Sequence, residues 1–242
     1  MLRIKHRISS LFSKDGVAAV LPVLLIFGLW CFAASPSMAG KCQAAPEPGV
    51  DWSGCEKERL VLKGNDLSGA KLVRTDLSKS DLTGAVLEKV DLSAGNLSRT
   101  RLWKVKLTNS TMIKTHGPRA DFSGADLSGA DLTKSEFPRA HFEDAVLVGA
   151  NLSKAELNRA VFVGADASHV DFTFSDLARV NLSGALVKGA NFKGSYTYLM
   201  HIEGLDLTET QGLTQLQLEV ACGNADTKLP EGLVVPENWP CN

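Results

Sequence analysis

The stretch Ala-Asp-Leu-Ser-Gly at residues 125–129 is followed directly by Ala-Asp-Leu at residues 130–132, so the same residue types return after five positions. Counted outward in both directions, the leucine position recurs every five residues from Leu62 to Leu207 without an insertion. Of these 30 positions, which we call central positions, 18 are Leu and 6 are Phe. The residue two places before a central position is usually small, most often alanine.

A period of five excludes the common regular structures. An amphipathic helix needs apolar residues about 3.6 positions apart, a strand needs them every second position, and a coiled coil needs a heptad. A strict five is typical of a chain that turns a corner every five residues and stacks its coils about 4.8 Å apart. If the central residue and the small residue point inward, the other three face water. The sequence therefore predicts a solenoid.

A second period, of twenty residues, appears two positions after the central residue. Basic residues that we call the arginine column recur there at Lys79, Arg99, Arg119, Arg139, Arg159 and Arg179. The corner before it carries Lys114, Lys134 and Lys154, whereas the other two corners are largely glycine. Twenty residues are four repeats, which predicts a four-sided coil and about 7.5 coils in all.

These Ala-Asp/Asn-Leu units resemble the pentapeptide-repeat family over residues 60–209. The resemblance implies an all-β fold, a right-handed quadrilateral parallel β-helix. The flanking segments, residues 42–55 and the tail through Trp239-Pro240-Cys241, are similar to the ends of exported bacterial members. The resemblance implies a fold and does not imply one function.

The first 39 residues have the pattern of an export signal. Arg3, Lys5 and Arg7 form a basic start, residues 17–34 are apolar and uncharged, and residues 37–39 are Ser-Met-Ala, which suits a signal peptidase. We expect cleavage near Ala39 and a periplasmic or extracellular location. An uncleaved membrane anchor is the alternative, since 18 apolar residues lie at the lower limit for spanning a bilayer. We expect no other association with a membrane.

The flanks of the array are predicted to be caps, because terminal coils expose unpaired strand edges and inward leucines. Thr214 and Gln217 have capping-box spacing, which predicts a short capping helix from Gln215 to Cys222, with Leu216 and Val220 covering the last coil. The predicted domains are a signal peptide at 1–39, an N-terminal cap at 40–59, the repeats at 60–209 and a C-terminal cap at 210–242.

Four cysteines lie outside the predicted signal, as two local pairs, Cys42 with Cys55 and Cys222 with Cys241. An even number in an exported chain indicates disulfides. We expect the local pairing because the pairs lie at opposite ends of the array. The two other pairings remain alternatives, as does a metal site, although the sequence offers no CxxC or histidine pair for one. We expect neither a cofactor nor a metal.

The charge balance restricts the partners. The formal net charge is −1, and residues 60–209 contain 18 basic and 18 acidic residues. A nucleic-acid binder or a mimic of nucleic acid needs a strong field of one sign, so we expect no nucleic-acid partner. Family members that mimic DNA and bind gyrase are strongly acidic and cytoplasmic, which makes that function a remote alternative.

Two surface features are candidate sites. The arginine column, together with Lys114, Lys134 and Lys154, either forms a salt-bridge ladder with the outward column Asp76, Asn96, His116, Glu136, Glu156 and Asp176 or binds an anionic polymer or acidic partner. The second feature is an apolar cluster near the end of the array. Its members are Phe174, Leu186, Tyr196, Tyr198 and Leu199. The cluster indicates local drift of the repeat, and the alternative is an interface with a partner or in a homodimer.

The sequence offers little for catalysis. His116, His141, His169 and His201 all fall on outward columns, and no nucleophile elbow or phosphate-binding loop accompanies them. The predicted function is therefore that of an exported, non-enzymatic structural or protein-interaction module of the bacterial envelope, with an unidentified protein or envelope polymer as partner. Binding of an anionic polymer through the arginine column is the alternative. A hydrolase is the weakest hypothesis.

Overall fold

The computed structural model describes residues 41–241, so the predicted signal and its cleavage lie outside the described residues. Parallel β-bridges join residues twenty positions apart, from Asp51 with Lys71 to Asn191 with Gln211. Within residues 41–241 these pairings are isolated bridges rather than long strands, one on each five-residue side of the chain. Twenty residues are therefore the length of one coil.

Each five-residue side repeats the same backbone hydrogen bonds. The N–H of central Leu127 donates to Val146 O in the next coil at 2.7 Å, and the N–H of Asp126 donates to Val105 O in the previous coil at 2.9 Å. The corner is closed by Ala130, whose N–H donates to Leu127 O at 3.0 Å. The residue two after the central position, here Gly129, has a φ of 65°. Every corner thus requires one residue in the left-handed region.

Two of the four sides matter for function. The arginine side is centred on residues 77, 97, 117, 137, 157, 177 and 197 and ends at the arginine column. The opposite side is centred on residues 87, 107, 127, 147, 167, 187 and 207, ten residues and hence two sides away.

The core is a column of central residues flanked by the small residues. Phe142 stacks on Phe122 at 5.0 Å between ring centroids and on Phe162 at 4.6 Å. The central position at Gly117 lacks a side chain, and the ring of Phe137 fills the space that its Cβ would take. The interior is therefore closed even where the repeat departs from Leu or Phe.

The aspartate or asparagine before a central residue has a local structural role. Asp126 Oδ1 accepts hydrogen bonds from the N–H of Ser128 at 3.0 Å and from its hydroxyl at 2.6 Å. The same bond to the N–H two residues on forms in 16 repeats. It satisfies a backbone donor that points away from the ladder. These side chains stabilise corners.

The ladder extends beyond the predicted array at both ends. Asp51 bridges to Lys71 and Trp52 is buried at a central position, so the first coil begins inside the segment expected to be the N-terminal cap. At the other end His201 bridges to Cys222 and Asp206 to Lys228, which are 21 and 22 residues apart. The last turn is therefore one to two residues longer than the twenty-residue coils before it.

Helix α1 spans Gln215–Glu219, three residues shorter than predicted. Thr214 accepts a hydrogen bond from the Gln217 N–H, and Gln217 Oε1 accepts one from the Thr214 N–H at 3.0 Å, which forms the expected capping box. Leu218 is the buried residue of the helix, whereas Leu216 is 74% exposed. The expectation that Leu216 and Val220 face the last coil is wrong, because the shorter helix turns Leu218 inward.

Both disulfides form with the local pairing, which confirms that prediction. Cys42 pairs with Cys55 and Cys222 with Cys241, with Cα–Cα distances of 5.5 and 5.2 Å. Trp52 lies beside the first bridge, and its Nε1 donates to Ala44 O at 3.1 Å. No helix within residues 41–241 is both long enough and apolar enough to cross a membrane.

Replacing Gly84 with alanine isolates the backbone strain at a corner. Gly84 has a φ of 66°, and a Cβ there would meet no heavy atom within 4 Å. We expect Gly84→Ala to lower the free energy of unfolding by about 1 kcal/mol, since a side chain disfavours this conformation. The reverse change at an equivalent corner, Ala94→Gly (φ of 55°), should not destabilise. Equal midpoints for Gly84→Ala and wild type in urea would contradict the strain.

Acid should weaken the corners that depend on carboxylates. Hydrogen bonds from the Thr208 hydroxyl and then from Lys228 lower the pKa of Asp206 to about 2. Because this folded-state pKa lies below the ordinary value near 4, the stabilisation is present above about pH 4 and is lost as the pH falls through about 2. Asp206→Asn retains an amide oxygen as acceptor and does not titrate. Its urea midpoint should therefore fall less than that of wild type between pH 5 and pH 2, and parallel curves would rule the effect out.

Candidate functional site

Four members of the arginine column line a shallow groove of about 600 Å³. Its wall consists of Arg99, Arg119, Arg139 and Arg159, and its floor of the residues that precede them, Ser98, Pro118, Pro138 and Asn158. Successive arginines belong to successive coils, about 4.8 Å apart. All four are exposed. We call this feature the arginine groove.

The two prolines change the hydrogen bonding beside the groove. Proline is favoured at the second residue of such a turn because its ring fixes φ, and it has no N–H that needs an acceptor. Without this N–H, the side chain of the residue before the central position has no backbone donor at the corner and is free to bind another partner. Accordingly His116 and Glu136 pair with each other, Nδ1 to Oε2 at 2.8 Å. Where serine occupies the floor, as at Ser98, its N–H donates to Asn96 at 3.0 Å.

The hypothesis of a salt-bridge ladder is wrong. Among the described residues, no carboxylate lies within ion-pair distance of any member of the arginine column. Most of the acidic column is bonded to other groups. Asp76 accepts hydrogen bonds from the Ser78 N–H at 2.7 Å and from Asn96 Nδ2 at 2.9 Å. Burial raises the pKa of Asp76, but these hydrogen bonds, together with the positive charge of Lys79 beyond ion-pair distance, outweigh it and the net pKa is lowered.

The local backbone does not explain the arginines. Arg99, Arg119 and Arg139 have φ values of 55°, 58° and 58°, where glycine is the residue without strain. Glycine occupies many of the equivalent corners on the opposite side of the coil, such as Gly129 and Gly149. A cationic side chain at this corner is therefore unfavourable for the backbone and is not compensated by an ion pair within the described chain.

The structure narrows the predicted basic site. Lys114, Lys134 and Lys154 lie at the other corner of the arginine side and do not line the groove, nor do Lys79 and Arg179. The floor residues Ser98, Pro138 and Asn158 were not among the predicted site residues. The signal was present, because Pro118 and Pro138 are twenty residues apart and directly precede two of the arginines.

The apolar cluster also changes membership. Tyr196 and Tyr198 stack with ring centroids 6.3 Å apart and are 57% and 42% exposed, and Phe174 is exposed on the neighbouring corner. Leu199 is half-buried beside them. Leu186 is exposed but lies on the opposite side of the coil, because ten residues separate it from Tyr196 and each side takes five. Its assignment to this cluster is therefore wrong.

The histidines pair with glutamates on the surface. Besides His116, His141 Nδ1 lies 2.9 Å from Glu143 Oε1, and His201 Nδ1 lies 3.0 Å from Glu203 Oε1. These pairs are local, within a side or between neighbouring coils, and they leave His141 and His201 three coils apart. The arrangement assembles no group of histidines around a common point in the described residues.

Comparison with known proteins identifies the repeats. The family model for pentapeptide repeats (8 copies) matches residues 62–99 and 95–133, and the model for a pentapeptide repeat region matches residues 135–211. No curated protein matches the chain significantly.

Several solved structures are similar. HetL, a pentapeptide repeat protein involved in heterocyst differentiation regulation from Nostoc sp. strain PCC 7120, is 26% identical, with 78% of this chain and 91% of HetL covered and a TM-score of 0.38. QnrB1, a plasmid-mediated fluoroquinolone resistance protein, is 18% identical, with 75% and 86% covered and a TM-score of 0.49. A pentapeptide repeat protein of the Arabidopsis thaliana thylakoid lumen is 28% identical, with 43% and 66% covered and a TM-score of 0.28.

The two family models together span most of the repeats between residues 62 and 211. Pentapeptide repeat proteins are right-handed quadrilateral β-helices, and bridges between residues twenty positions apart fit a four-sided coil. The chain therefore belongs to the pentapeptide repeat family.

Proposed function

We propose that this protein is a non-enzymatic binding module whose arginine groove holds a linear anionic ligand. The observation that carries the proposal is a line of four exposed guanidinium groups without an ion-pair partner in the described chain. Arginine donates two parallel hydrogen bonds to a carboxylate or phosphate. Because the groups recur about every 4.8 Å, a polymer with regularly spaced negative charges fits the groove better than a small molecule.

Electrostatics favours such a ligand. Two unit charges about 5 Å apart in water repel by roughly 1 kcal/mol, and several in a row add to this. Salt screens the repulsion only in part at this distance. A polyanion in the groove would be attracted to each guanidinium group, and these attractions would offset the repulsion between neighbouring arginines. Pro118 and Pro138 have no N–H and only a short ring, so the polymer could lie close to the backbone there.

The proposal also includes the cellular location of the protein and the role of the two ends of its β-helix. We place the protein outside the cytoplasm, in the bacterial envelope, where its disulfides would be maintained and where anionic polysaccharides are available. The thirty repeats form about 7.5 coils of four repeats each. The disulfide-bearing segment at Cys42 and helix α1 act as caps, the latter through buried Leu218 and through Gln217, whose Nε2 donates to Phe192 O and Ser195 O at 2.9 Å.

Removal of charge from the groove tests the proposal. The triple variant Arg119→Gln, Arg139→Gln and Arg159→Gln should bind alginate or a similar acidic polysaccharide at least about tenfold more weakly than wild type at low salt. Wild-type binding should itself fall about tenfold or more between roughly 50 and 200 mM salt, as expected for charge neutralisation. Affinity is measured by calorimetry or by co-sedimentation.

A matched control removes three positive charges from the opposite side of the coil. Lys89→Gln, Lys104→Gln and Lys106→Gln change the net charge equally, and all three lysines are exposed. This variant should bind as wild type does. If both variants lose affinity equally, net charge rather than the groove is responsible. If neither wild type nor the control binds acidic polysaccharide or polyphosphate at low salt, the proposal is wrong.

The stacked tyrosines favour a second function, self-association. Tyr196, Tyr198 and Phe174 present three aromatic side chains on one surface near the last coil, and exposed apolar clusters of this kind mark protein interfaces. We propose that this surface forms a homodimer contact.

Tyr196→Ser with Tyr198→Ser should shift the protein toward monomer by about tenfold or more in dissociation constant, since buried aromatic residues dominate interface energies. Analytical ultracentrifugation over a concentration series measures the shift. Val146→Ser with Val148→Ser changes the same two positions on the opposite side, where both residues are comparably exposed. A wild-type protein that stays monomeric at high concentration would refute the contact.

A further inference from the structure

On the opposite side of the coil, the ladder of backbone hydrogen bonds between successive coils is interrupted at one place. In the coil before, the N–H groups of Gly164, Ala167 and His169 donate to carbonyls of the next coil at 3.1, 2.7 and 2.8 Å. One coil later the corresponding donors, at Gly184, Val187 and Gly189, have no such acceptor in the described residues.

The lower edge of this opening is unpaired as well. The Asp206 N–H does not reach Ala185 O, and no bridge joins Leu186 to Asp206, although bridges occupy the corresponding positions earlier on this side. Two parallel segments, residues 184–189 and 203–208, therefore face each other without backbone hydrogen bonds. We call the space between them the slot.

The slot is a bounded cavity rather than a frayed end. The ladder is intact before it, from the Leu182 N–H to His201 O at 3.1 Å, and after it, from the Gln211 N–H to Ala190 O at 2.8 Å. A cavity of about 420 Å³ lies between, lined by Gly184 to Lys188 on one edge and by Gly204 to Glu209 on the other. Lys188 and Glu209 form a 3.1 Å ion pair across its mouth.

The lower edge is held in place by the C-terminal segment. Asp206 bridges to Lys228, the Leu207 N–H donates to Lys228 O at 2.9 Å, and the Lys228 N–H donates to Leu205 O at 2.9 Å. The Lys228 ammonium also pairs with the Asp206 carboxylate at 3.0 Å. The lower edge therefore pairs with the C-terminal segment and not with the coil above it.

We propose that the slot binds a short extended peptide that adds a strand between the two coils. Its carbonyls accept hydrogen bonds from the upper edge, which presents the N–H groups of Gly184, Val187 and Gly189. Its N–H groups donate to the lower edge, which presents the carbonyls of Glu203, Asp206 and Thr208. A chain with alternating donors and acceptors satisfies both edges, as in strand addition to an open sheet. An anion would leave the lower carbonyls unpaired, and an apolar ligand would pair with neither edge.

The floor of the slot is apolar. Ala185, Val187 and Leu205 form it, and they are 6%, 2% and 3% exposed. Because so little of their side chains is accessible, recognition of the peptide rests on the backbone groups of the two edges. The slot lies on the side opposite the arginine groove, so the two sites are independent and either proposal stands without the other.

Backbone amide hydrogen exchange measured by NMR tests the proposal on the purified protein. Without peptide, the amides of Gly184, Val187 and Gly189 should exchange faster than those of Gly164, Ala167 and His169. The probe is an acetylated, amidated peptide with the sequence of residues 125–132, Ala-Asp-Leu-Ser-Gly-Ala-Asp-Leu. At millimolar concentration it should slow exchange at the three slot amides about tenfold or more. The same peptide with alternate N-methylated residues keeps the side chains, loses donors and should give no protection.

A pair of proline variants tests the open ladder without a ligand. Val187→Pro removes an N–H that has no acceptor within residues 41–241, whereas Ala167→Pro removes one that donates at 2.7 Å. The melting temperature should fall less for Val187→Pro, and this variant should bind the probe several-fold more weakly. Slot amides that are already protected in the protein alone, absence of protection by the probe, or equal protection by the N-methylated peptide would each overturn the proposal.

Discussion

The backbone hydrogen bonds between successive coils are the constraint on which the rest of this structure depends. A ladder of this kind forms only if every side has the same length, so that each N–H meets its carbonyl 19 residues ahead or 21 behind, as Leu127 meets Val146 and Asp126 meets Val105. Equal sides require a corner every five residues, and each corner requires a left-handed residue. Packing then fixes the inward positions. The outward positions are the ones at which side chains vary without disturbing the ladder.

The same constraint explains which parts of the molecule could be predicted. The five- and twenty-residue periods are direct consequences of the ladder, so the core from Leu62 to Leu207 and the alignment of the arginine column follow from counting residues. The disulfide pairing follows from the position of the cysteines outside the array. The salt-bridge ladder could not be judged in this way, because the oxygens of Asp76 bind Ser78 and Asn96, and that choice depends on local geometry. The place of Leu186 does follow from counting, because ten residues, and hence two sides of the coil, separate it from Tyr196.

The slot could not be predicted from the sequence pattern. Ala185-Leu186-Val187 and Leu205-Asp206-Leu207 keep the repeat, so the residues on both edges predict an ordinary ladder. The opening arises from the C-terminal segment, in which the bridge partner of Asp206 lies 22 rather than 20 residues ahead. The added residues form part of the turn that contains helix α1, and the lower edge pairs with Lys228 instead of closing on the coil above. A departure from the register at the end of a solenoid thus changes the pairing one coil earlier.

The arginine groove, by contrast, results from substitution within an unbroken ladder. In 14 of the 30 repeats a serine or threonine follows the central residue, and at many of these corners its N–H holds the preceding aspartate or asparagine close to the backbone. Pro118 and Pro138 have no N–H, so this bond is absent and His116 and Glu136 pair with each other instead. Glu136, the carboxylate nearest in sequence to Arg139, is therefore hydrogen-bonded to His116, and neither Arg119 nor Arg139 has an ion-pair partner among the described residues. Arg99 and Arg159 follow Ser98 and Asn158 rather than proline and likewise have no ion-pair partner in the described residues, so the prolines change the bonding of the preceding residues while the row of charges is uncompensated along the whole groove.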